Sequence, residues 1–299
     1  MANLRDIRKR IEAAANIRKI TQTMEKISSV RVLRTNRRLE KTRDYSRTLK
    51  NMAADLFFTA LQDENSLRDL CLLHTKENIN SMGLIVVTSN QGMCGGFNYH
   101  VLQETDRVYD QYSRKDLSPF VYAVGKKAIQ HFRNRGIQMK FCTDQFSDKF
   151  TYEDILPLAQ SLIRSLENGE LDEVLLIYTH LESTSVRYPV VEALLPCDDF
   201  LQEINTSGKQ KSRQFVCEPN VHDLIGVLLP ELVINRLFQA ILESIVAEHI
   251  SRRLAMQQAS TSAKDMITEM RNLYHALRKS KITRELNEIM GTVLALQKD

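Results

Sequence analysis

The residue types best suited to chemistry gather in one loop, Thr88-Ser-Asn-Gln-Gly-Met-Cys-Gly-Gly-Phe-Asn98. A glycine-rich turn between a strand and a helix can cradle phosphate with its backbone N–H groups. Here Gly92, Gly95 and Gly96 fit neither the dinucleotide fingerprint nor the phosphate loop that ends in Lys-Ser/Thr. The spacing therefore predicts a tight turn rather than a nucleotide site. Cys94 lies in the same loop. A catalytic thiol needs a base to make it a thiolate. None is evident around it, so a small buried thiol is expected. The seven histidines show no metal-ligand spacing, and Cys-x-x-Cys does not occur. The carboxylates form no acid/base pair. No catalytic residue, cofactor site or metal site is predicted.

The rest of the chain must therefore be read for what it positions. Residues 2–62 contain neither Gly nor Pro, and 232–296 contain no Pro and only Gly291. In the last segment Met256, Ala259, Ala263, Met266, Met270, Leu273 and Leu277 step by three and four, and the stripe resumes at Ile282, Leu286, Ile289, Val293 and Leu296. That rhythm keeps one face of a helix apolar. At the other end, Leu4, Ile7, Ile11 and Ala14 do the same, followed by Ile17, Ile20, Met24 and Ile27, then Leu49, Met52 and Leu56. A helix that long needs a partner along its seam. The two terminal helices are predicted to form an antiparallel coiled coil, with Ala13–15, Ala255, Ala259 and Ala263 allowing close approach.

Between them the composition changes. Residues 82–88 form a β-branched run that reads as a buried strand, and further strands are predicted over 119–124, 138–142, 173–178 and 186–195. Pro189 implies an edge or bulge in the fifth. Helices are predicted over 97–112, 126–135 and 152–166. Alternating strands and helices indicate an open α/β layer fold with a mostly parallel sheet. A loop over 198–212 and a short strand over 215–217 follow, and Pro230 is expected to kink or restart the last helix. The expected divisions are 1–62, an N-terminal coiled-coil helix; 63–217, the α/β domain; and 218–299, the C-terminal coiled-coil helix.

Charge is uneven. Residues 1–50 carry 15 Lys/Arg against 5 Asp/Glu, while 218–299 carry 10 of each. A basic first helix calls for an acidic partner or is simply a solvated face. Nucleic acid is a weaker match, because Tyr45 is the only aromatic among the basic residues and single strands bind by stacking. The five cysteines are scattered, as in a reducing compartment. The start lacks a signal peptide's apolar core, and no membrane insertion is predicted.

Residues 16–24, 92–98 and 248–289, taken together, resemble three segments of the γ subunit of F-type ATP synthases. Asn16, Lys19, Ile20, Thr21 and Met24 match its first helix. Gly92-Met-Cys-Gly-Gly-Phe-Asn98 resembles its central turn. Glu248-His249, Arg252, Ala255-Met256, Tyr274 and residues 282–289 follow its last helix. The resemblance spans nearly the whole chain. It implies a non-catalytic rotor shaft standing in a ring of α and β subunits, with its foot on the membrane c ring beside the ε subunit. It would couple proton or sodium flow to ATP synthesis or hydrolysis from the cytoplasmic face of a bacterial inner membrane, as a peripheral protein. The resemblance makes Met24, Lys26, Arg31, Arg34, Arg252, Thr283, Arg284 and Glu285 contacts with the ring. It makes Val293, Leu294, Ala295 and Leu296 an apolar bearing tip, and Gly92, Cys94, Gly95 and Gly96 the family turn. The chain departs from the family at Asn90 and Gln91, which replace an acidic-then-basic pair, and at Arg253, Thr261 and Arg284. Such departures would suit a specialised rotary ATPase as well as the usual synthase. The remaining alternative is a basic coiled coil that binds nucleic acid.

Overall fold

In a computed structural model, the described residues are 4–60, 71–73, 79–114, 117–183, 185–197 and 220–296, with side chains described to Met290. The expected loop over 198–212 and the strand over 215–217 lie outside them. The elements are α1 (Leu4–Ala60), β1 (Met82–Val87), α2 (Phe97–Ser113), β2 (Phe120–Val124), α3 (Lys126–Asn134), β3 (Met139–Thr143), α4 (Leu156–Glu167), β4 (Glu173–Leu181), β5 (Arg187–Leu195) and α5 (Val221–Leu296). They form two units. One takes Met1–Ser29 with Arg252–Asp299, and the other takes Val30–Ser251.

The larger unit holds a five-stranded sheet in the order β3-β2-β1-β4-β5. Its first four strands are parallel, and β5 runs antiparallel to β4. β1 lies at the centre with all six residues buried. That burial on both faces explains why its sequence is a continuous apolar run. Met82, Leu84 and Val86 point to one face, where Val101 and Val108 of α2 and Ala128 and Phe132 of α3 complete the core. Pro189 sits on the edge strand β5. Proline is tolerated in such a position. Gly125 turns the chain from β2 into α3 at φ 96°, and a Cβ there would stand 2.2 Å from the Thr88 carbonyl oxygen. Only glycine fits such an approach.

α5 begins at an Asn220 cap, whose Oδ1 accepts from Asp223 N at 2.8 Å. The expected restart at Pro230 is not found: α5 runs unbroken through it. A proline ring collides with the carbonyl four residues back and leaves it without a donor. Burial of Ile225, Leu229 and Val233 on either side holds the helix through that defect. The next residue, Glu231, is anchored by Tyr152, whose hydroxyl donates to its carboxylate at 2.6 Å. One window of α5 is long and apolar enough by composition to cross a membrane, yet half of it is buried inside the protein. Ile225, Leu229, Val233, Leu237, Ile241 and Leu242 account for much of that burial, and Phe238 stacks against Phe150 and Tyr152.

Within this unit α1 and α5 pack antiparallel. Arg43 meets Glu243 and Ser46 meets Asn235, so positions rise along one helix as they fall along the other.

The second unit consists of helix alone, from α1 and α5. α1 is buried at Ile7, Ala14, Thr21 and Ser28, every seventh residue. α5 is buried at Met256, Ser260, Ala263 and Ile267, and half-buried at Met270, Tyr274 and Leu277. Those alternating steps of four and three are the coiled-coil repeat.

Candidate partner-binding surface

The burial pattern corrects the predicted seam. Ile17, Ile20 and Ile27 point outward, with Ile20 60% exposed, while Thr21 and Ser28 take the inward positions. On α5, Met266 and Leu273 are exposed, and Ser260, Ile267 and Tyr274 replace Ala259, Met266 and Leu273 on the inward face. Thr21 can face inward because its hydroxyl donates to the Arg18 carbonyl of its own helix. That bond satisfies the polar group without a cross-helix partner. Ala14 and Ala263 are buried as expected, but Ala13 and Ala15 are exposed. The signal was present in the sequence: Ile7, Ala14, Thr21, Ser28 and Thr35 are spaced by seven, although only the first two are apolar.

This unit holds α1 only from its start to Ser29, but α5 from Arg252 to its end. α5 therefore outruns its partner. Burial on it stops at Leu277, and residues 278–290 are all exposed. Ile282, Leu286 and Ile289 thus form an apolar stripe that nothing among the described residues covers. The flanks of the stripe are charged. Lys281 pairs with Glu285 at 3.6 Å and Arg284 with Glu288 at 3.2 Å, both one turn apart. Each such exposed pair is worth about 0.3–0.5 kcal/mol. Thr283 donates to the Lys279 carbonyl. A lone helix surface with apolar residues between ion pairs is suited to touching a larger partner.

The other expected contact residues separate into two groups. Lys26 and Arg34 are exposed, and Met24 is half-buried. Arg31 is drawn toward Asp148, with its Nε 3.9 Å from the carboxylate. Arg252, the remaining expected ring contact, is only 3% exposed within this chain. Other cations of the basic helix are also used internally. Arg38 donates to the carbonyls of Asp148 and Phe150, and Arg43 to Glu243. The charge surplus that suggested nucleic acid thus serves in part to hold α1 to its own chain. The side chains of the expected tip, Val293, Leu294, Ala295 and Leu296, lie outside the described residues.

The glycine turn is closed on itself. Asn98 accepts from Ser89 N at 3.0 Å through Oδ1, and its Nδ2 donates to Ser89 Oγ at 2.8 Å and Cys94 Sγ at 3.1 Å. Met93 and Gly95 adopt φ 62° and 60°. Cys94 is buried, as expected, and packs with Phe97 against Ala247 of α5. In a doubly wound sheet, ligands enter the crevice at the carboxyl ends of the strands where the order reverses. α5 fills the space beside that turn. Gly92 is exposed with open space around it, whereas a Cβ on Gly96 would strike the His100 ring. Where the family carries an acidic-then-basic pair, Asn90 makes neutral bonds instead. Its amide donates to the carbonyls of Asp144 and Phe146, and its Oδ1 accepts from Lys126 N. Neutral bonds thus tie together the segments that follow β1, β2 and β3.

Burial shifts several tyrosines. Burial, with the nearby Glu243 carboxylate, pushes Tyr178 from 10.0 up to about 12. Burial and the Glu231 hydrogen bond push Tyr152 further upward. Both changes favour the neutral hydroxyl. Such groups are structural donors, not catalysts working near neutral pH.

Long helices from the two ends of the chain, with an α/β unit between them in sequence, define the class of fold. The chain belongs to the ATP synthase family, whose sequence profile matches residues 3–296. It is similar to the ATP synthase gamma chain of Psychrobacter arcticus, 26% identical over 99% of this chain and 100% of that one. The ATP synthase gamma chain of Chloroflexus aurantiacus is 29% identical, over 99% of each. Among solved structures it resembles a chain of the Euglena gracilis mitochondrial ATP synthase in rotational state 3. That chain gives a TM-score of 0.63 at 16% identity, with 98% of this chain and 94% of that one covered. A chain of the central stalk and c-ring of the Tetrahymena thermophila enzyme gives 0.58 at 18% identity, covering 81% and 99%. At those identities the structures establish the shared fold.

Proposed function

We propose that this chain is the central-stalk rotor subunit of an F-type ATP synthase and makes and breaks no bonds itself. Rotation of the shaft carries energy between ion flow through the membrane sector and ATP synthesis or hydrolysis in the ring of α and β subunits. The observation that carries this reading is the end of α5. It extends past its partner with Ile282, Leu286 and Ile289 exposed, inside a chain matched to the family from residue 3 to 296. An apolar stripe suits a bearing, because apolar contacts are non-directional and do not lock at one angle. Directional contacts are needed as well, since a shaft biases its surroundings only by touching them differently in each state. Met24, Lys26, Arg34, Thr283, Arg284 and Glu285 supply these toward the ring. Val293, Leu294, Ala295 and Leu296 continue the bearing. The α/β unit serves as the foot, against the c ring and the ε subunit, at the cytoplasmic face of a bacterial inner membrane.

The test is co-purification from native membranes with an activity assay. The chain should come down with α, β, ε and c subunits, and the isolated chain should hydrolyse no ATP. Turnover by the chain alone, or its recovery without those companions, would overturn the reading.

A further inference from the structure

The larger unit contains one carboxylate that ties three elements together. Glu243 of α5 is 2% exposed in its side chain. Its Oε1 accepts from Arg43 of α1 at 2.8 Å and from Gln239 at 3.2 Å. Its Oε2 accepts from His180 Nδ1 of β4 at 2.9 Å. Arg43 also donates to the Leu181 carbonyl of β4 at 3.1 Å. Both helices and the end of strand β4 thus meet at one buried group. Beside it, Arg236 of α5 pairs with Glu192 of β5, and Tyr178 donates to the same Glu192 at 3.0 Å.

An apolar interface tolerates sliding, whereas a buried ionic network fixes register and angle. Charge-assisted hydrogen bonds are directional and are the strong ones of their kind. Glu243 is buried and faces no partner of the kind proposed for the outward residues, so its bonds have another use.

We propose that Glu243, held by Arg43 and His180, is the pin through which torque passes between the sheet and the two long helices. It is a positioning residue for coupling, and this role rests on the rotor reading above. When the foot is turned, the load reaches α1 and α5 through these bonds rather than through apolar packing alone. Without the pin the sheet and helices twist against each other, and part of each step is lost as slip.

The test uses the whole complex in liposomes, with ATP hydrolysis and ion uptake measured together on equal amounts of assembled enzyme. The variants are Glu243→Gln, which keeps the shape, and His180→Ala, at a position one-third exposed in its side chain. Both should hydrolyse ATP at close to the wild-type rate. Ions moved per ATP should fall to about half or less, as expected when directional bonds to a charged group are lost. His180→Asn, whose amide can replace the Nδ1 donor, should restore the ratio. Ser46→Ala removes a bond between the helices alone and should leave the ratio unchanged. An unaltered ratio in both Glu243→Gln and His180→Ala would overturn the pin. So would an equal loss in Ser46→Ala. If Glu243→Gln does not assemble, His180→Ala and its Asn rescue decide. Failure of the rotor reading would look different: the wild-type chain itself would be absent from a coupled complex.

Discussion

Asn235 donates its side-chain amide to Ser46 Oγ at 2.7 Å, joining α5 to α1 across 189 residues of sequence inside a buried seam. Ser46 in turn donates to the Thr42 carbonyl. Replacing Asn235 with Ala removes the amide partner of a buried hydroxyl, and such losses cost about 1–3 kcal/mol. Urea unfolding should show this loss. The double variant Asn235→Leu with Ser46→Ala should lose less than Asn235→Ala, because no polar group is then left unpaired. Equal losses would show that water reaches the pair.

Gly125 should tolerate no side chain. Its φ of 96° and the Thr88 oxygen, 2.2 Å from where a Cβ would stand, both forbid alanine. Gly136 and Gly169 also have positive φ but open space around them. Alanine there should cost only the backbone penalty of about 1–2 kcal/mol. Gly125→Ala should cost clearly more by the same unfolding measurement, and it should shift the turn that holds Lys126 N on Asn90.

The exposed stripes should matter for assembly and not for folding. Leu286→Asp and Ile20→Asp change residues that are 56% and 60% exposed. Surface changes of this kind usually stay within about 0.5 kcal/mol. The isolated variants should therefore melt with the wild type. Their recovery with α and β subunits in a pull-down should fall. A drop in the melting temperature of the isolated chain would place these residues in a seam after all.

Alkaline pH should loosen the larger unit. Tyr178 is raised from 10.0 to about 12 in the folded chain. Its stabilising effect is fully present below pH 10, where both states hold the proton. It is lost as pH rises from 10 toward 12, because the unfolded chain releases the proton first. The slope is about 1.4 kcal/mol per pH unit for one such group. Tyr45, Tyr112 and Tyr152 are shifted in the same direction. Unfolding followed from pH 9 to 12, with tyrosinate absorbance, should show the loss begin near 10. Tyr178→Phe should make it shallower.

The sheet is legible in the sequence because its strands are concentrated apolar runs. Residues 82–87 are buried on both faces and contain only apolar residues and Gly83. The antiparallel helix pair is legible from length and the lack of breakers. The seam is not, because apolar side chains at helical spacing need not be buried ones. In a two-helix structure the inward face is narrow and takes Thr21, Ser28 and Ser260, while Ile20 and Met266 face outward. Apolar outward residues that await a partner look like a core in a single sequence. Pro230 does not restart the helix, because burial of Ile225, Leu229 and Val233 on either side of it holds α5 through that residue. Arg252 and Glu243 are beyond the reach of spacing altogether, since burial of a charge is decided by elements far away in the chain.

If this chain is a rotor, it must turn inside its ring. Fixing the α and β ring to a surface, attaching a bead to the α/β unit of this chain and adding ATP tests that directly. ATP-dependent rotation in one direction is expected, stopping when ATP is removed. A bead that stays still while the ring hydrolyses ATP would contradict it.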